Sequence, residues 1–346
     1  KINGITRDGE KCTDYKACLE LIKAGKDIDY DGASGPLEFS GNGEPTEASY
    51  GVLQFGSEKD SSKGTKCEKT KECLDDAKTK FVKATAPDSA DVPQVPVTAT
   101  REGDGTLTIG TLLPITGSLA FLGPPEFAGV KLAIEEINAG GGFQGTDVKF
   151  VEGDSGDTEN AVAPTTVATL LGQNVDAIIG AASSSVSLSV IDTITTAGVV
   201  MFSPANTSKK LSSYDDKGLY FRDAPSDILQ GQVLADTIIG DGHSDVYILA
   251  LNDDYGTGLA DDLKAGLESG GATVLDTTIY DPKAADYSSE VQKVKDSGAD
   301  AIALIGFDES SKILTKMVEQ GIKLNTVYGV DGNMGNALAE NFEAGK

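Results

Sequence analysis

Residues 176–204 read DAIIGAASSSVSLSVIDTITTAGVVMFSP, and this stretch decides the fold. Its two ends are short apolar runs bounded by turn residues, which is typical of buried strands. Between them, residues 183–198 carry apolar side chains at helical spacing. A buried strand followed by a helix and a second buried strand is the unit from which parallel sheets are built.

The same alternation continues along the chain from residue 106. The apolar runs are LTIGTLLP, VKFVEGD, DAIIGAA, VVMFSP, DVYILALN, TVLDTTIY, AIALIGF and TVYGVD, and helical segments such as PEFAGVKLAIEEINAGG and YGTGLADDLKAGLESGG separate them. We therefore predict an α/β protein with doubly wound parallel sheets. A chain of 346 residues is long enough for two lobes of this kind.

The charge of the chain limits its partners. It contains 54 acidic and 29 basic residues, which gives a net charge of -25. Such a surface repels phosphate backbones and anionic lipid headgroups, so we expect no nucleic acid as a partner. The chain opens with KINGIT, without an initiator Met or an apolar signal region, and we expect a processed or trimmed product.

Four cysteines form two local pairs, Cys12 with Cys18 and Cys67 with Cys73. An even number of cysteines in an acidic chain favours an oxidising compartment and two disulfides. Six residues of one continuous helix would hold the sulfur atoms too far apart, so pairing requires a break in the helix. Free or cross-paired thiols remain the alternative. The single histidine and the wide cysteine spacing argue against zinc.

Residues 1–57 are predicted to form a compact piece with a helix around 16–24 and two strand-like runs after it. Within it, residues 27–38 match a calcium-binding loop. The matching residues are Asp27, Asp29, Asp31, Gly32 and Glu38. Because Pro36 and a strand-like run replace the exit helix, a solvated acidic turn is the preferred interpretation, and we predict no metal.

Residues 58–105 are rich in Lys, Asp, Ser and Thr and end in scattered prolines. This composition buries little apolar surface, so the segment is predicted to be a polar linker with a short helix around residues 73–82.

One of the three consecutive serines, Ser183 to Ser185, is a candidate for a catalytic nucleophile. A serine hydrolase needs a base beside its serine, and the only histidine, His243, lies in a polar turn. The G-x-S-x-G elbow and a complete nucleotide-binding glycine motif are also missing. We therefore predict that the protein is not an enzyme and needs no cofactor.

The same serines are better suited to an anion-binding site than to catalysis. They lie where a strand ends and a helix begins, and backbone N–H groups, the helix dipole and hydroxyl groups favour a carboxylate there. Ordinary capping of the helix by a serine is the alternative. The next strand ends in FSPANTSKKL, where Ala205 and Thr207 could offer a carbonyl, an N–H and a hydroxyl beside Ser184.

At this point the ordered motifs resemble a known family. GTLLPITGSLAFLGPPEFAGVKLAIEEINAGGGFQG, IIGAASSSVSLSV, FSPANTSKKL, YFRDAPSDILQGQVLA, NDDYGTGLA and YGVDG are similar to the branched-chain amino acid binding proteins of ABC transporters. The match covers about residues 106–346. The resemblance implies the type I periplasmic binding fold, with two α/β lobes that are joined by hinge strands and close on a ligand.

The resemblance also assigns roles to residues. Ser184, with Ser183 beside it, resembles the site for the ligand carboxylate, and Ala205 and Thr207 resemble the residues that contact carboxylate and ammonium. Tyr255 and Phe307 stand where the second lobe has aromatic side chains. Asp331 resembles the acidic partner of the ammonium, one methylene shorter than the expected glutamate. Leu122 stands where some members have a tyrosine, and Asp227 matches a position near the ligand or caps the following helix.

The resemblance predicts the domains and the function. Lobe 1 is residues 106–226 with 1–26 as a returning helical piece, and lobe 2 is residues 227–346 with 27–57 as strands like the family's carboxyl-terminal ones. Because those strands come first here, the chain is permuted, part of a tandem array, or incomplete. We expect a monomeric, extracytoplasmic, lipid-anchored binding protein that delivers an amino acid to an ABC permease. An amide, urea or aromatic acid as ligand, or a ligand-sensing regulator, are the alternatives.

Overall fold

The computed structural model describes residues 5–33, 35–54, 79–85, 95–335 and 338. The chain divides into two compact units. Unit 1 is Lys1–Ala48 with Thr85–Ser226, and unit 2 is Ser49–Ala84 with Asp227–Lys346.

Strands and helices alternate along most of the described chain. The strands are β1 (Glu10–Cys12), β2 (Ile28–Gly32), β3 (Gly35–Pro36), β4 (Glu47–Val52), β5 (Lys80–Thr85), β6 (Thr108–Leu112), β7 (Lys149–Val151), β8 (Ala177–Gly180), β9 (Val200–Ser203), β10 (Tyr220–Arg222), β11 (Asp245–Leu251), β12 (Thr273–Tyr280), β13 (Ala301–Ile305) and β14 (Val327–Tyr328). The α-helices are α1 (Tyr15–Lys23), α2 (Gly123–Ala139), α3 (Ala163–Gly172), α4 (Ser184–Thr196), α5 (Asp227–Gly240), α6 (Asp254–Ser269), α7 (Ser288–Ser297) and α8 (Ser310–Glu319).

Unit 1 is built on a parallel sheet with the strand order β10-β9-β8-β6-β7. Strand β8 lies at its centre, because Ala177 pairs with Ile109 on one side and with Val200 on the other. Its last residue, Gly180, has φ +129°, and a Cβ atom there would lie 2.0 Å from the Leu112 carbonyl oxygen. Only glycine therefore fits where β8 leaves the sheet and turns toward α4.

The core of unit 1 lies between this sheet and its helices. Leu112, Val167, Ile178, Ile191 and Met201 are among its side chains, and each is fully buried. Burial of each such side chain stabilises the fold by about 2 kcal/mol. The predicted strand–helix–strand unit at residues 176–204 is confirmed, as β8, α4 and β9.

Unit 2 contains a second parallel sheet with the order β12-β11-β13-β14. Residues 246–251 of β11 are all buried, so this strand reads as a continuous apolar run. The α/β fold class with parallel sheets is confirmed in both units. Every one of the eight apolar runs predicted as strands after residue 106 contains a strand.

The amino-terminal residues belong largely to unit 1. Helix α1 begins after the capping side chain of Asp14, and the predicted helix around residues 16–24 is confirmed. Cys12 ends β1 and Cys18 lies in α1, so the chain breaks between them and they form a disulfide with Cα atoms 5.3 Å apart. Tyr15 donates hydrogen bonds to Glu136 and to the Gly142 carbonyl, which joins α1 to α2. Cys67 and Cys73 lie outside the described residues.

Two predictions about the amino-terminal half are wrong. Residues 27–57 are predicted to belong to lobe 2, whereas residues 27–48 belong to unit 1. The physical reason is that Phe39 is buried against Phe202 of β9, with ring centroids 6.1 Å apart, and Phe202 in turn stacks on Phe221.

The second error concerns the polar linker. Residues 80–85 within it form strand β5, which pairs with β4, so they are neither linker nor the end of a helix. Phe81 and Val82 are residue types that favour strands, and Val82 and Ala84, two positions apart, are the less exposed residues of β5. None of the helices in the described part of the chain combines the length and apolar character needed to span a bilayer.

Candidate functional site

The serine-rich turn of unit 1 lies at the carboxyl end of β8, as predicted. Ser183 is the N-cap of α4, and its hydroxyl oxygen accepts a hydrogen bond from the Val186 amide at 3.4 Å. Ser184 is the first residue of the helix and is almost fully buried. The structure thus gives Ser183 the capping role, and its contact with a ligand stays a prediction.

Ser184 and Thr207 lie side by side. The hydroxyl oxygen of Ser184 accepts hydrogen bonds from the amides of Thr207 at 3.3 Å and Ser208 at 3.2 Å. The ends of two neighbouring strands, β8 and β9, therefore contribute to one small polar surface. This juxtaposition is the one that parallel strand order predicts.

The loop after β9 is held by its own side chains. The Ser203 hydroxyl donates to the Ala181 carbonyl at 2.7 Å and accepts from the amides of Ala205 and Asn206. The Asn206 side-chain amide donates to the Ala182 carbonyl at 2.8 Å. The backbone N–H groups of Ala205 and Thr207 therefore have partners inside the protein, and binding of the ligand by an N–H of this loop stays a prediction.

Several other polar groups of this surface stay open. Within the described residues, the Thr207 hydroxyl, the Ala205 carbonyl and the hydroxyl hydrogen of Ser184 have no hydrogen-bond partner. Because Ser184 accepts two amide hydrogens, its own O–H is directed to donate elsewhere. The surface thus offers two hydroxyl donors and one carbonyl acceptor, at the positive end of a helix.

A second polar surface lies in unit 2. Tyr255 is buried near the start of α6, and its hydroxyl donates to Asp331 Oδ1 at 2.6 Å. Its ring stacks on Phe307 at 5.3 Å between centroids, with an interplanar angle of 10°. Three of the predicted site residues of this unit are therefore in one cluster.

Asp227 joins the cluster through a residue that sequence reasoning missed. Gln230 donates its side-chain amide to Asp227 Oδ1 at 3.2 Å and accepts from the Asp331 amide at 3.1 Å. Asp227 is fully buried, and Gln230 links it to Asp331. The sequence signal for Gln230 is its position three residues after Asp227, on the same face of α5.

The turn that carries Asp331 is fixed to the sheet. Asn333 is buried, accepts from the Val330 amide and donates to the Leu304 carbonyl at 2.9 Å. Glu309 likewise accepts from the Phe307 amide at 3.0 Å and from the Tyr280 hydroxyl at 2.6 Å. Asn333 thus holds the turn before and after Asp331, and Glu309 holds the backbone of Phe307.

The protonation states follow from burial. Desolvation, and then the Asp331 carboxylate, raise the pKa of Tyr255 well above its usual value, so its hydroxyl stays a donor at neutral pH. Desolvation raises the pKa of Asp331, and the hydrogen bond from Tyr255 opposes this shift. The hydrogen bond that Tyr255 donates to Asp331 Oδ1 favours the carboxylate form of Asp331.

Leu122 is half-buried and directly precedes α2. In the first turn of this helix, desolvation and the neighbouring Asp223 raise the pKa of Glu126 to about 8. Burial also raises the pKa of Asp223 to about 6. No hydrogen bond or ring contact in the described part of the chain joins Leu122 to Ser184 or Thr207.

The residues considered for catalysis or for calcium have other contacts. His243 lies 3.6 Å from Asp300 and edge-on to the ring of Tyr328. In the calcium-loop match, residues 28–32 form β2, and Lys11 Nζ lies 2.7 Å from Asp31 and 3.7 Å from Asp29. No cluster of three or more His, Cys, Asp or Glu side chains that could hold a metal occurs among the described residues.

Comparison with known proteins identifies the family to which this chain belongs. A family described as "Periplasmic binding protein" matches residues 106–342. The Leu/Ile/Val-binding protein homolog 3 of Brucella melitensis is 29% identical over 232 residues, which cover 65% of this chain and 61% of the relative. The homolog 2 of Brucella abortus is 31% identical over 241 residues, 67% of this chain and 62% of the relative. The chain therefore spans about three fifths of the length of these curated relatives.

A solved structure shares the same fold. The branched-chain amino acid transporter substrate binding protein LivJ of Streptococcus pneumoniae, in complex with isoleucine, superposes with a TM-score of 0.61. It is 26% identical, and the match covers 68% of this chain and 67% of LivJ.

Proposed function

Because the chain belongs to the periplasmic binding protein family, we propose that it is an extracytoplasmic solute-binding protein for an ABC importer. Its ligand is a small amino acid of the branched-chain type. The names of the Brucella relatives support this ligand class, as does the isoleucine bound to LivJ. The protein binds its ligand without turnover, works as a monomer, and is tethered to the membrane by a lipid.

The juxtaposition of Ser184 and Thr207 is the observation that carries the proposal. A carboxylate needs several donors at once, and both hydroxyl groups have a hydrogen to donate. The amino end of α4 adds the positive end of its dipole. The Ala205 carbonyl, which lies in the same loop, is an acceptor for the ligand ammonium.

The Asp331 carboxylate supplies the charge that an ammonium group requires. Tyr255 and the Gly332 amide both donate to its Oδ1 atom, which leaves its other oxygen atom for the ligand. These donors fix the direction of the carboxylate before the ligand arrives, which lowers the entropy cost of binding. Within unit 2, the stacked rings of Tyr255 and Phe307 are the apolar neighbours of this carboxylate. Leu122 of unit 1 stays a predicted contact of the ligand side chain.

One observation favours a second candidate ligand. Asp331 is one methylene shorter than the glutamate expected from the resemblance, and it already accepts two hydrogen bonds. A ligand without an α-amino group, such as an amide, urea or an aromatic acid, would need no full counter-charge there. This candidate uses the same serine and threonine donors for its carbonyl or carboxylate.

A ligand screen by thermal unfolding tests the proposal. Leucine, isoleucine and valine are compared with acetamide, urea and 4-hydroxybenzoate. We expect a branched-chain amino acid to raise the unfolding free energy by about 2.7 kcal/mol at a concentration of 100 Kd. Thr207→Ala and Asp331→Asn should each weaken its affinity by about tenfold or more, as expected for a lost charge-assisted hydrogen bond.

Two matched variants control for general effects of these substitutions. Thr169→Ala removes an exposed hydroxyl of α3, and Asp192→Asn removes a carboxylate whose side chain is 71% exposed. Neither should change the affinity. If only compounds without an ammonium group bind, and Asp331→Asn leaves their affinity unchanged, the second candidate is correct. If none of the six compounds binds, the proposal is wrong.

A further inference from the structure

The loop that carries Ala205 and Thr207 is held from behind by a buried arginine. Arg222 ends β10, is 1% exposed, and donates from one guanidinium nitrogen to the carbonyls of Asn206 at 3.2 Å and Ser208 at 3.0 Å. These two carbonyls flank Thr207 on either side. The guanidinium therefore contacts the peptide unit that precedes Thr207 and the one that follows Ser208, so it holds the loop at both ends of the Thr207–Ser208 pair.

The charge of Arg222 is balanced by Glu44, which comes from a distant part of the chain. The Nε atom of Arg222 lies 3.0 Å from Glu44 Oε2, and its second terminal nitrogen contacts the same oxygen. A buried guanidinium without a carboxylate is strongly destabilising, so each residue requires the other. The planar fork of arginine can reach the carboxylate and two carbonyls at once, which a lysine ammonium cannot do.

The turn that presents Glu44 fits closely against β10. The Gly43 carbonyl accepts from the Arg222 amide at 3.0 Å. Gly43 has φ +78°, and a Cβ atom there would lie 2.7 Å from the Tyr220 carbonyl oxygen, so only glycine is accommodated. Ser212 lies beside the pair, on the side away from the two carbonyl contacts of the guanidinium. Its hydroxyl donates to Glu44 at 2.9 Å and accepts from the other terminal nitrogen of Arg222 at 2.8 Å, and its carbonyl accepts from the Asn42 side-chain amide at 2.9 Å.

We infer that Arg222 and Glu44 are positioning residues of the ligand-binding loop, and that residues 40–46 are thus part of the binding machinery. The predicted effect of these residues on ligand affinity rests on the proposed function, whereas their effect on the loop does not. The guanidinium fixes the carbonyls of Asn206 and Ser208, and the Thr207 and Ser208 amides, which lie between these two carbonyls along the chain, are thereby kept on the Ser184 hydroxyl. The Ser184 O–H is then directed toward the ligand.

The test compares Arg222→Lys with Ser212→Ala. Arg222→Lys keeps the positive charge beside Glu44 but loses the fork that reaches the two carbonyls. Ser212→Ala removes hydrogen bonds from the same buried pair and leaves the carbonyls of Asn206 and Ser208 in place. Hydrogen exchange of single amides is measured by NMR in the protein without ligand, together with leucine affinity and the unfolding free energy.

We expect Arg222→Lys to speed exchange of the Thr207 and Ser208 amides by about tenfold or more, since their local opening becomes easier. The Val186 amide, which is bonded to Ser183, is the internal control and should change much less. The leucine affinity should fall by about tenfold. Ser212→Ala should lower stability but leave both the Thr207 exchange and the affinity within about threefold.

Two outcomes would overturn the inference. One is that Arg222→Lys leaves the Thr207 and Ser208 amides as protected as in the parent. The other is that Ser212→Ala changes exchange and affinity as much as Arg222→Lys, which would indicate a general loss of stability. If Arg222→Lys does not fold, Glu44→Gln takes its place in the same comparison. If the parent binds no amino acid, the proposed function fails, and the exchange measurement still decides the role of Arg222.

Discussion

Glu126 and Asp223 are two carboxyl groups of unit 1 whose burial disfavours ionisation. Glu126 Oε2 and Asp223 Oδ1 are buried and have no hydrogen-bond partner within the described residues. The pKa of Glu126 is raised to about 8 by burial first and by Asp223 second. A group whose pKa rises on folding binds more protons in the folded state, so stability is lost as the pH rises.

Glu126→Gln should therefore stabilise the protein in alkaline solution. Below the pKa of about 4.5 that Glu126 has in the unfolded chain, the glutamate of the parent is as neutral as the glutamine of the variant, so the two proteins should be equally stable. Between that pH and about 8 the parent loses stability, and at pH 8.5 the variant should be more stable by on the order of 2 kcal/mol. Urea unfolding at about pH 3.5 and at pH 8.5 measures the difference.

Glu135→Gln, at an exposed position of the same helix, is the control for this comparison. It should change stability by less than about 0.5 kcal/mol at either pH. A gain for Glu126→Gln that is equal at both pH values would contradict the explanation, because a neutral Glu126 offers no charge to remove.

At the scale of residues, sequence reasoning succeeds where the fold brings strand ends together. Ser184 and Thr207 follow neighbouring strands, so their contact could be predicted from strand order alone. Arg222 and Glu44 are 178 positions apart, and no spacing rule connects them. The loss of the Thr207 amide to Ser184 also could not be predicted, since it depends on how the loop after β9 turns.

At the scale of elements, helix α4 combines a structural cap with a candidate ligand site. Ser183→Ala should destabilise the protein by about 1 kcal/mol, because the Val186 amide loses its acceptor. Ser183→Gly should cost only a few tenths of a kcal/mol, since glycine is tolerated at an N-cap. Chemical unfolding of the three proteins measures these differences.

Ligand titration of the same variants separates the cap from a contact. If Ser183 only caps α4, Ser183→Gly binds leucine as the parent does, whereas Ser184→Ala binds it more weakly. Weak binding by Ser183→Gly, with its stability intact, would instead make Ser183 a ligand contact.

Elements were predictable in proportion to their length and apolar content. The long runs of β11 and β13 are buried almost throughout, so their composition alone indicates strands. Strand β10 has three residues and ends in a buried arginine, and the sequence gives no sign of it. Strand β5 could not be predicted from composition, because its two lysines and the polar residues before it suggest a linker, and its pairing with β4 depends on a partner outside the segment.

At the scale of the whole molecule, the net charge of -25 opposes the folded state. Like charges are closer together in the compact chain than in the unfolded one, and salt screens their repulsion. Raising sodium chloride from 10 to 300 mM, about a fivefold decrease in Debye length, should therefore stabilise the protein by about 1 kcal/mol. The expected rise in Tm is roughly 2–4 °C.

Calorimetry at both salt concentrations measures this rise, with sucrose as a control that leaves charge screening unchanged. A Tm that falls or stays constant with salt would show that local ion pairs outweigh the overall repulsion.

The fold class of the whole molecule was predictable because a repeated strand–helix pattern has few architectures available to it. The division into units was harder to predict. The contact that assigns residues 27–48 to unit 1 is made by Phe39 and Glu44, and their partners lie on β9 and β10, far along the chain. Local sequence carries little information about such distant partners.

The pairing of Glu44 with Arg222 also has a consequence for synthesis. A ribosome adds about 5–20 residues per second, so Glu44 emerges roughly 10 to 35 s before its cationic partner exists. During that interval the nascent turn around Gly43 has no strand to dock on, and Phe39 has no aromatic neighbours. Unit 1 can therefore reach its native packing only after β10 has been synthesised, and until then the segment around Phe39 is open to chaperones and to aggregation.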